Sequence, residues 1–148
     1  MLIANATAYL SGKFLEHTFV RIQGDVIAET GPALFPQPGE EVLDLQGDFL
    51  LPGFVDVHIH AFMGMDTMSG EEAVRHMSRE LKKGGVAAFL PTTMSAPIQD
   101  TKAALQGIAM VMKRPEPQGA MVLGAHMEAP FLSPGRCGAQ VSAHFMPP

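Results

Sequence analysis

The sequence predicts an α/β protein with a parallel sheet covered by helices, and two observations support this fold class. Up to about residue 50 the chain consists of short β-like runs broken by glycine and proline. From residue 51 onward, three β-like segments alternate with two helical ones. Strands that alternate with helices are typical of parallel sheets, because each helix returns the chain to start the next strand in the same direction. We therefore expect two regions, residues 1–50 and 51–148.

The first region carries three β-like runs and no helical period. Ser11-Gly12 and Gly24-Asp25 are turn pairs, and a loop rich in proline and glycine, GPALFPQPGE, precedes the last run. The runs are LIANATAYL, TFVRIQGDVIAET and EVLDLQGDFL. We expect strands and turns here, without a helix.

In the second region two helices are predicted between three strands. The first helix lies in SGEEAVRHMSRELKKGG, with a capping box of Ser69 and Glu72 and an end at Gly84-Gly85. The second, in DTKAALQGIAMVMKRP, is stopped by Pro115. Its apolar stripe consists of Ala104, Leu105, Ile108 and Met112. The strands are FVDVHIH, VAAFLP and GAMVLGAHME.

Composition and charge exclude several classes of protein. With 47% hydrophobic and 17% charged residues, the 148-residue chain has the balance of a folded globular protein. A net charge of −5, with no basic run longer than Lys82-Lys83 or Lys113-Arg114, argues against a nucleic-acid surface. The start lacks the basic segment of a signal peptide, and no apolar run approaches about 18 residues. The single cysteine, Cys137, excludes an internal disulfide. We expect a cytoplasmic protein that binds neither nucleic acid nor membrane.

A histidine pair closes the first strand of the second region. Because side chains alternate along a strand, His58 and His60 share a face with Asp56. Glu128 falls at the end of the third strand, and the carboxyl ends of parallel barrel strands are where active sites lie. We expect His58, His60 and Glu128 to converge. Imidazole and carboxylate suit Zn²⁺ or Fe²⁺, and three protein ligands with an open position form a catalytic arrangement.

Less specific interpretations stay open for these residues. A histidine pair and a glutamate at strand ends are also common surface features. His126 is either a donor that orients a metal ligand or a packed, hydrogen-bonded residue. Asp56 either orients His58 or accepts an internal hydrogen bond, and Thr92-Thr93 either line the same opening or cap a turn.

Three segments together resemble a known family. They are LPGFVDVHIH, FLPTTMS and LGAHMEAPFLSPGRCGAQ, and their order and spacing are similar to those of the N-acetylglucosamine-6-phosphate deacetylases of the amidohydrolase superfamily. The first segment is shared by many amidohydrolases, whereas HMEAPFLSPGRCGAQ resembles the deacetylases more narrowly. The resemblance implies a (β/α)₈ TIM-type barrel beside a small β-sandwich. Residues 1–50 would then belong to the sandwich, and residues 51–148 would form the first three strands of a truncated barrel.

The resemblance also implies a metal site. Glu128 corresponds to the family's principal metal ligand, and His58 and His60 correspond to the ligands of a second metal position. One or two divalent ions, Zn²⁺ or Fe²⁺, are therefore implied.

A substrate and a reaction follow from the same resemblance. Ala139 and Gln140 correspond to the family's substrate-contact pair, and Arg136 is a candidate for attracting a phosphate. The implied reaction is hydrolysis of the N-acetyl group of N-acetylglucosamine 6-phosphate to glucosamine 6-phosphate and acetate, a step in amino sugar catabolism.

Two positions and the chain length depart from the family pattern. Ala61 and Ala129 stand where the family has glycine, and their Cβ atoms are expected to strain the turns or to narrow the site. A barrel takes about 250 residues, and the resemblance places the family's later metal-binding histidines and catalytic aspartate beyond Pro148. We expect an amino-terminal segment that is inactive alone and, because its sheet has an open edge, forms a homodimer or larger assembly.

Two alternative functions remain. Another amidohydrolase, acting on a cyclic amide or a nucleobase, would bind metal without hydrolysing the sugar phosphate. A non-catalytic folded fragment would bind no metal.

Overall fold

The computed structural model describes residues 1–147, and its first unit, Met1–Pro52, is a five-stranded sheet. Its strands are β1 (Leu2–Leu10), β2 (Lys13–Gln23), β3 (Val26–Gly31), β4 (Val42–Asp44) and β5 (Phe49–Leu50). Antiparallel pairs join the three longest strands in the order β3, β2, β1, and the two short strands pair in parallel with β1. The second β-like run is thus two strands, because Gly24, with a φ of 58°, turns the chain between them.

A buried arginine holds the first unit together. Arg21, on β2, is only 5% exposed, and its Nε donates to Glu40 Oε1 at 2.9 Å. Its remaining nitrogens pair with Glu29 on β3 and donate to the Phe35 carbonyl at 2.7 Å. Because a buried guanidinium is costly unless its donors are satisfied, these contacts tie the loop before β4 to the sheet.

The second unit begins at Gly53 and contains a parallel sheet with two helices. Its strands and helices are β6 (Phe54–Ile59), β7 (Ala61–Phe62), β8 (Met65–Asp66), α1 (Glu71–Lys83), β9 (Val86–Thr93), α2 (Ile98–Lys113), β10 (Met121–Val122) and β11 (His126–Met127). At the centre of the sheet is β9. The strands β6 and β10 both pair with its Ala88 and Phe89, so they lie along opposite edges, and β11 pairs further along at Thr92 and Thr93. The α/β class is therefore confirmed.

The third predicted strand of this sheet is not continuous. GAMVLGAHME contains two two-residue strands, β10 and β11, and Gly124 and Ala125 between them form no ladder pair. Glycine has no side chain to pack against the sheet and weakens a strand.

The start of α1 also differs from the prediction. Ser69 closes a 3₁₀ turn, Thr67–Ser69, and Gly70 occupies the N-cap with a φ of 89°, so no capping box forms with Glu72. Asp66 caps the preceding 3₁₀ turn instead, accepting from the Met68 N–H at 2.7 Å. The predicted end at Gly84-Gly85 agrees with the last helical residue, Lys83.

The buried stripe of α2 is shifted by one residue at its end. Ala104 and Ile108 are buried as predicted, but Val111 replaces Met112, which is 44% exposed. The buried residues Ala104, Ile108 and Val111 recur at steps of four and three residues, which follow the helical period more closely than the predicted stripe does. The core of the unit joins both helices to β9 and consists of Val74, Met77, Leu81, Phe89, Ile108, Val111, Ala120 and Val122.

None of the helices among residues 1–147 is long and apolar enough to cross a bilayer.

Gly107 is the point where α2 approaches the first turn of α1, and it permits a first prediction. A Cβ at Gly107 would lie 2.6 Å from the Glu71 nitrogen and 2.9 Å from the Gly70 carbonyl carbon. Gly107→Ala should therefore destabilise the chain by about 1–3 kcal/mol, although alanine is ordinarily about 1 kcal/mol better than glycine inside a helix. Urea unfolding of the two proteins measures the difference. The exposed neighbour Gln106→Ala is the control, and a stabilised Gly107→Ala variant would contradict the close packing.

The carboxylate beside Arg21 gives a prediction about acid stability. The backbone N–H of Gln37 and the guanidinium of Arg21 lower the pKa of Glu40 below its ordinary value of 4.5. A carboxyl whose pKa is lowered in the folded state stabilises it above the unfolded value and loses that contribution as the pH falls through the folded value. Below about pH 4.5, wild type should therefore lose more stability than Glu40→Gln does. Urea midpoints at near-neutral and acidic pH test this, with the exposed neighbour Glu41→Gln as control; equal acid losses in wild type and Glu40→Gln would contradict it.

Candidate metal centre

The two histidines of the H-x-H motif lie where β6 ends. The carboxylate of Asp56 accepts the backbone N–H of His58 at 3.0 Å, so Asp56 makes an internal hydrogen bond rather than pointing at the His58 ring. Directly after His60, a hairpin of β7 and β8 turns through Met63 and Gly64, both with positive φ. The His60 carbonyl then accepts the Thr67 N–H at 2.8 Å, which holds the hairpin against the strand end.

His58, His60 and Glu128 bring three ligand atoms to one point. The Nε2 atoms of His58 and His60 are 3.1 Å apart. Glu128 Oε2 lies 2.9 Å from His60 Nε2 and 3.3 Å from His58 Nε2. Glu128 follows β11, whose pairing with Thr92 and Thr93 carries it to this edge of the sheet. Within residues 1–147 this is the one group of three such side chains with the spacing for an ion.

The spacing of these atoms fits a divalent ion. Bonds of about 2.0–2.1 Å in tetrahedral geometry place neighbouring ligand atoms roughly 3.3 Å apart, and octahedral geometry places them near 3.0 Å. Glu128 Oε2 is buried and has no hydrogen-bond partner, although the Nε2 atoms of both histidines lie close to it. A buried carboxylate oxygen without a partner is costly unless a cation binds it. The donor set therefore fits a metal ion.

The orientation of His60 is set by β9. Its Nδ1 lies 3.2 Å from the Thr92 carbonyl oxygen, which can only accept a hydrogen bond. Nδ1 therefore carries the proton in the neutral ring, and Nε2 presents its lone pair toward His58 and Glu128.

His126 packs against the cluster without joining it. Its ring meets the His58 ring edge to face, with centroids 4.6 Å apart and an interplanar angle of 87°. Its Nδ1 is buried and has no hydrogen-bond partner, so the interpretation of a hydrogen-bonded core residue is wrong at that atom. The ring limits the rotation of His58 by contact.

Gln140 ties a loop to the segment after β9. It is buried, and its side-chain oxygen accepts the Ser95 N–H at 2.7 Å, while Ser95 Oγ accepts the Val141 N–H at 2.6 Å. The structure therefore shows a loop-anchoring role for Gln140, and its substrate contact stays a prediction. Ala139 and Arg136 are exposed on the same loop. The motifs contained no signal for Ser95, because its role depends on a contact between distant residues.

The two alanines at family glycine positions do not strain the backbone. Ala61 begins β7 and Ala129 is buried after Glu128, and neither has a positive φ. Among residues 1–147 the non-glycine positions with positive φ are Asn5, Ser11, His17, Gln46 and Met63. The expected strain at both alanines is therefore wrong, and a narrowed site stays a prediction.

Comparison with known proteins identifies the class. Residues 49–144 match the model of the amidohydrolase family. The chain belongs to the amidohydrolase family. An N-acetylglucosamine-6-phosphate deacetylase of Lysinibacillus sphaericus is 33% identical over 100% of this chain and 38% of that protein. An N-acetylgalactosamine-6-phosphate deacetylase of Escherichia coli O157:H7 is 35% identical over 85% of this chain and 32% of that protein. The chain thus spans about a third of the length of these curated relatives.

Solved structures show the same relationship. The N-acetylglucosamine-6-phosphate deacetylase of Thermotoga maritima matches with a TM-score of 0.79 and 28% identity, over 100% of this chain and 37% of that chain. The enzyme of Pasteurella multocida matches in fold, with a TM-score of 0.79 at 23% identity over 98% of this chain and 38% of that one. The resemblance to N-acetylglucosamine-6-phosphate deacetylases that the motifs predicted is confirmed.

Proposed function

We propose that His58, His60 and Glu128 bind a divalent metal ion, Zn²⁺ or Fe²⁺, as part of an amino sugar 6-phosphate deacetylase site. The observation that carries the proposal is the buried Glu128 oxygen, which faces two imidazole nitrogens at ligand spacing and has no hydrogen-bond partner. Two neutral imidazoles and one carboxylate contribute a charge of −1. A divalent ion on this set would keep a net positive charge and hence its Lewis acidity.

The chain's own residues would orient and hold the site. The Thr92 carbonyl keeps the His60 ring turned toward the cluster, and the His126 ring packs against His58. The His58 side chain is 46% exposed, so the cluster is open to solvent on that side. A bound divalent ion would supply Lewis acidity to an amide carbonyl and a nucleophile from water near neutral pH.

The proposed substrate is an N-acetylated amino sugar 6-phosphate, with N-acetylglucosamine 6-phosphate first. Seven similar curated proteins are named for that substrate, and an eighth is named for N-acetylgalactosamine 6-phosphate. The products would be acetate and the free amino sugar phosphate. Ala139 and Gln140 stay the proposed substrate contacts, on the loop that Ser95 anchors.

The domain assignment is proposed on the same basis. Parallel pairing of β6, β9 and β10, with helices between successive strands, supports the second unit as the start of a (β/α)₈ barrel. The mixed, mainly antiparallel sheet of residues 1–52 supports the first as part of a β-sandwich. Exposed apolar side chains on β6, including Phe54, Val55 and Val57, support self-association. A cytoplasmic location stays a prediction.

Metal binding gives a direct test. Glu128→Gln keeps the side-chain size but removes the charge, so the affinity for Zn²⁺ should fall by at least about a hundredfold. Substitutions of residues that only orient the metal ligands usually cause smaller losses. Competition with a chromogenic chelator measures it. Glu72→Gln, an exposed change on α1, is the matched control. Equal affinity in wild type and Glu128→Gln would remove Glu128 from the metal site.

Acetate release tests the reaction. The family resemblance places an acid–base aspartate beyond Pro148, and amide hydrolysis needs an acid to protonate the departing amine. We expect no turnover by residues 1–148 alone. A longer protein that also contains the later segment of the family should turn over the substrate with Zn²⁺ or Fe²⁺. N-acetylglucosamine and N-acetylgalactosamine 6-phosphates should be compared. Turnover by the 148-residue chain would contradict the proposal that the acid–base group lies outside these residues. Hydrolysis of only a cyclic amide or a nucleobase would favour the alternative amidohydrolase function.

A further inference from the structure

The pairing of β6 with β9 is irregular between Asp56 and Ile59, the stretch that carries His58. Asp56 pairs with Phe89 and Ile59 with Pro91, so three steps along β6 match two along β9. Proline has no N–H, and Pro91 cannot donate to the neighbouring strand. The register of the ladder therefore shifts at His58, two residues before His60.

A single hydroxyl bridges this interruption. Thr92 is fully buried, and its Oγ1 accepts the Ile59 N–H at 3.0 Å. The same hydroxyl donates to the Leu90 carbonyl at 3.1 Å. It thus supplies an acceptor to a backbone group of β6 and a donor to one of β9 where the register of the two strands shifts.

The same residue also holds the metal-facing ring. The Thr92 carbonyl accepts from His60 Nδ1, one residue beyond the N–H that its hydroxyl binds. We propose that Thr92 is a positioning residue for the metal site, whose hydroxyl sets the spacing of β6 from β9 so that its carbonyl can hold the His60 ring toward His58 and Glu128. This inference rests on the proposed metal function and adds a residue that does not touch the ion.

The neighbouring threonine provides a control of the same chemistry. Thr93 is also fully buried on β9, but its hydroxyl has no hydrogen-bond partner. Replacing either threonine by valine removes one buried hydroxyl and keeps the side-chain shape. Only Thr92→Val also leaves the Ile59 N–H and the Leu90 carbonyl without that partner.

Zinc affinity of the 148-residue chain, measured by chelator competition, tests the proposal. Thr92→Val should weaken binding by roughly 10–100-fold, as changes to groups that orient a ligand do. Thr93→Val should bind as wild type does, and Thr92→Ser, which keeps the hydroxyl, should restore most of the affinity. With Co²⁺ as the ion, the visible absorption spectrum should change in Thr92→Val and not in Thr93→Val, because that spectrum reports ligand geometry.

The outcomes separate the two proposals. No zinc binding by the wild-type chain would refute the proposed metal site itself. Wild-type binding with equal affinity in Thr92→Val and Thr93→Val, or equal losses in Thr92→Val and Thr92→Ser, would refute the role of the Thr92 hydroxyl. Gly107→Ala, which disturbs helix packing rather than the strand pair, separates general destabilisation from loss of positioning. If Thr92→Val does not fold, Thr92→Ala compared with Thr92→Ser makes the same distinction.

Discussion

Parallel pairing of β6 with β9 is the constraint on which the site depends. The histidines belong to β6, and the groups that orient them belong to β9: the Thr92 hydroxyl binds the Ile59 N–H and the Thr92 carbonyl binds His60 Nδ1. Because β11 also pairs with β9 at Thr92 and Thr93, the same strand end positions Glu128. One strand therefore sets the position of all three candidate ligands.

The remainder of the second unit keeps β9 in place. Phe89 is fully buried at the centre of the sheet and lies in one hydrophobic cluster with Val74 and Met77 of α1 and Ile108 of α2. The two helices come close because Gly107 has no side chain where α2 meets the start of α1. Close packing of this kind restricts small displacements, and a metal site needs its ligands held to within about 0.5 Å.

The first unit is organised by polar contacts as well as by its small apolar core. That core consists of Ile3, Ala6, Ala8 and Val20. Three of these four residues, two alanines and a valine, have short side chains. Arg21 compensates by joining β2, β3 and the loop before β4 through one buried guanidinium. Those contacts depend on charge, which is why the stability of this unit is expected to depend on pH.

Sequence periodicity was sufficient to predict the α/β class, the extents of both helices to within a few residues, and the shared face of His58 and His60. Each of these depends on local pattern, because the two-fold and helical periods are properties of neighbouring residues. The convergence of Glu128 with this pair was predicted from the rule that the carboxyl ends of parallel barrel strands meet at one face. The family resemblance, likewise, was carried by contiguous motifs. These are features that short stretches of sequence encode directly.

Tertiary structure decided the break in the third strand, the role of Thr92, the loop anchor between Ser95 and Gln140, and the absence of strain at Ala61 and Ala129. For the two hydrogen-bonded roles the partner lies far away in the chain: Ile59 and Thr92 are 33 residues apart, and Ser95 and Gln140 are 45 apart. A hydroxyl in a sequence is equally suited to a cap, a turn or a strand bridge. Only the pairing of the strands selects which backbone groups need it, and therefore which of two adjacent threonines supports the site.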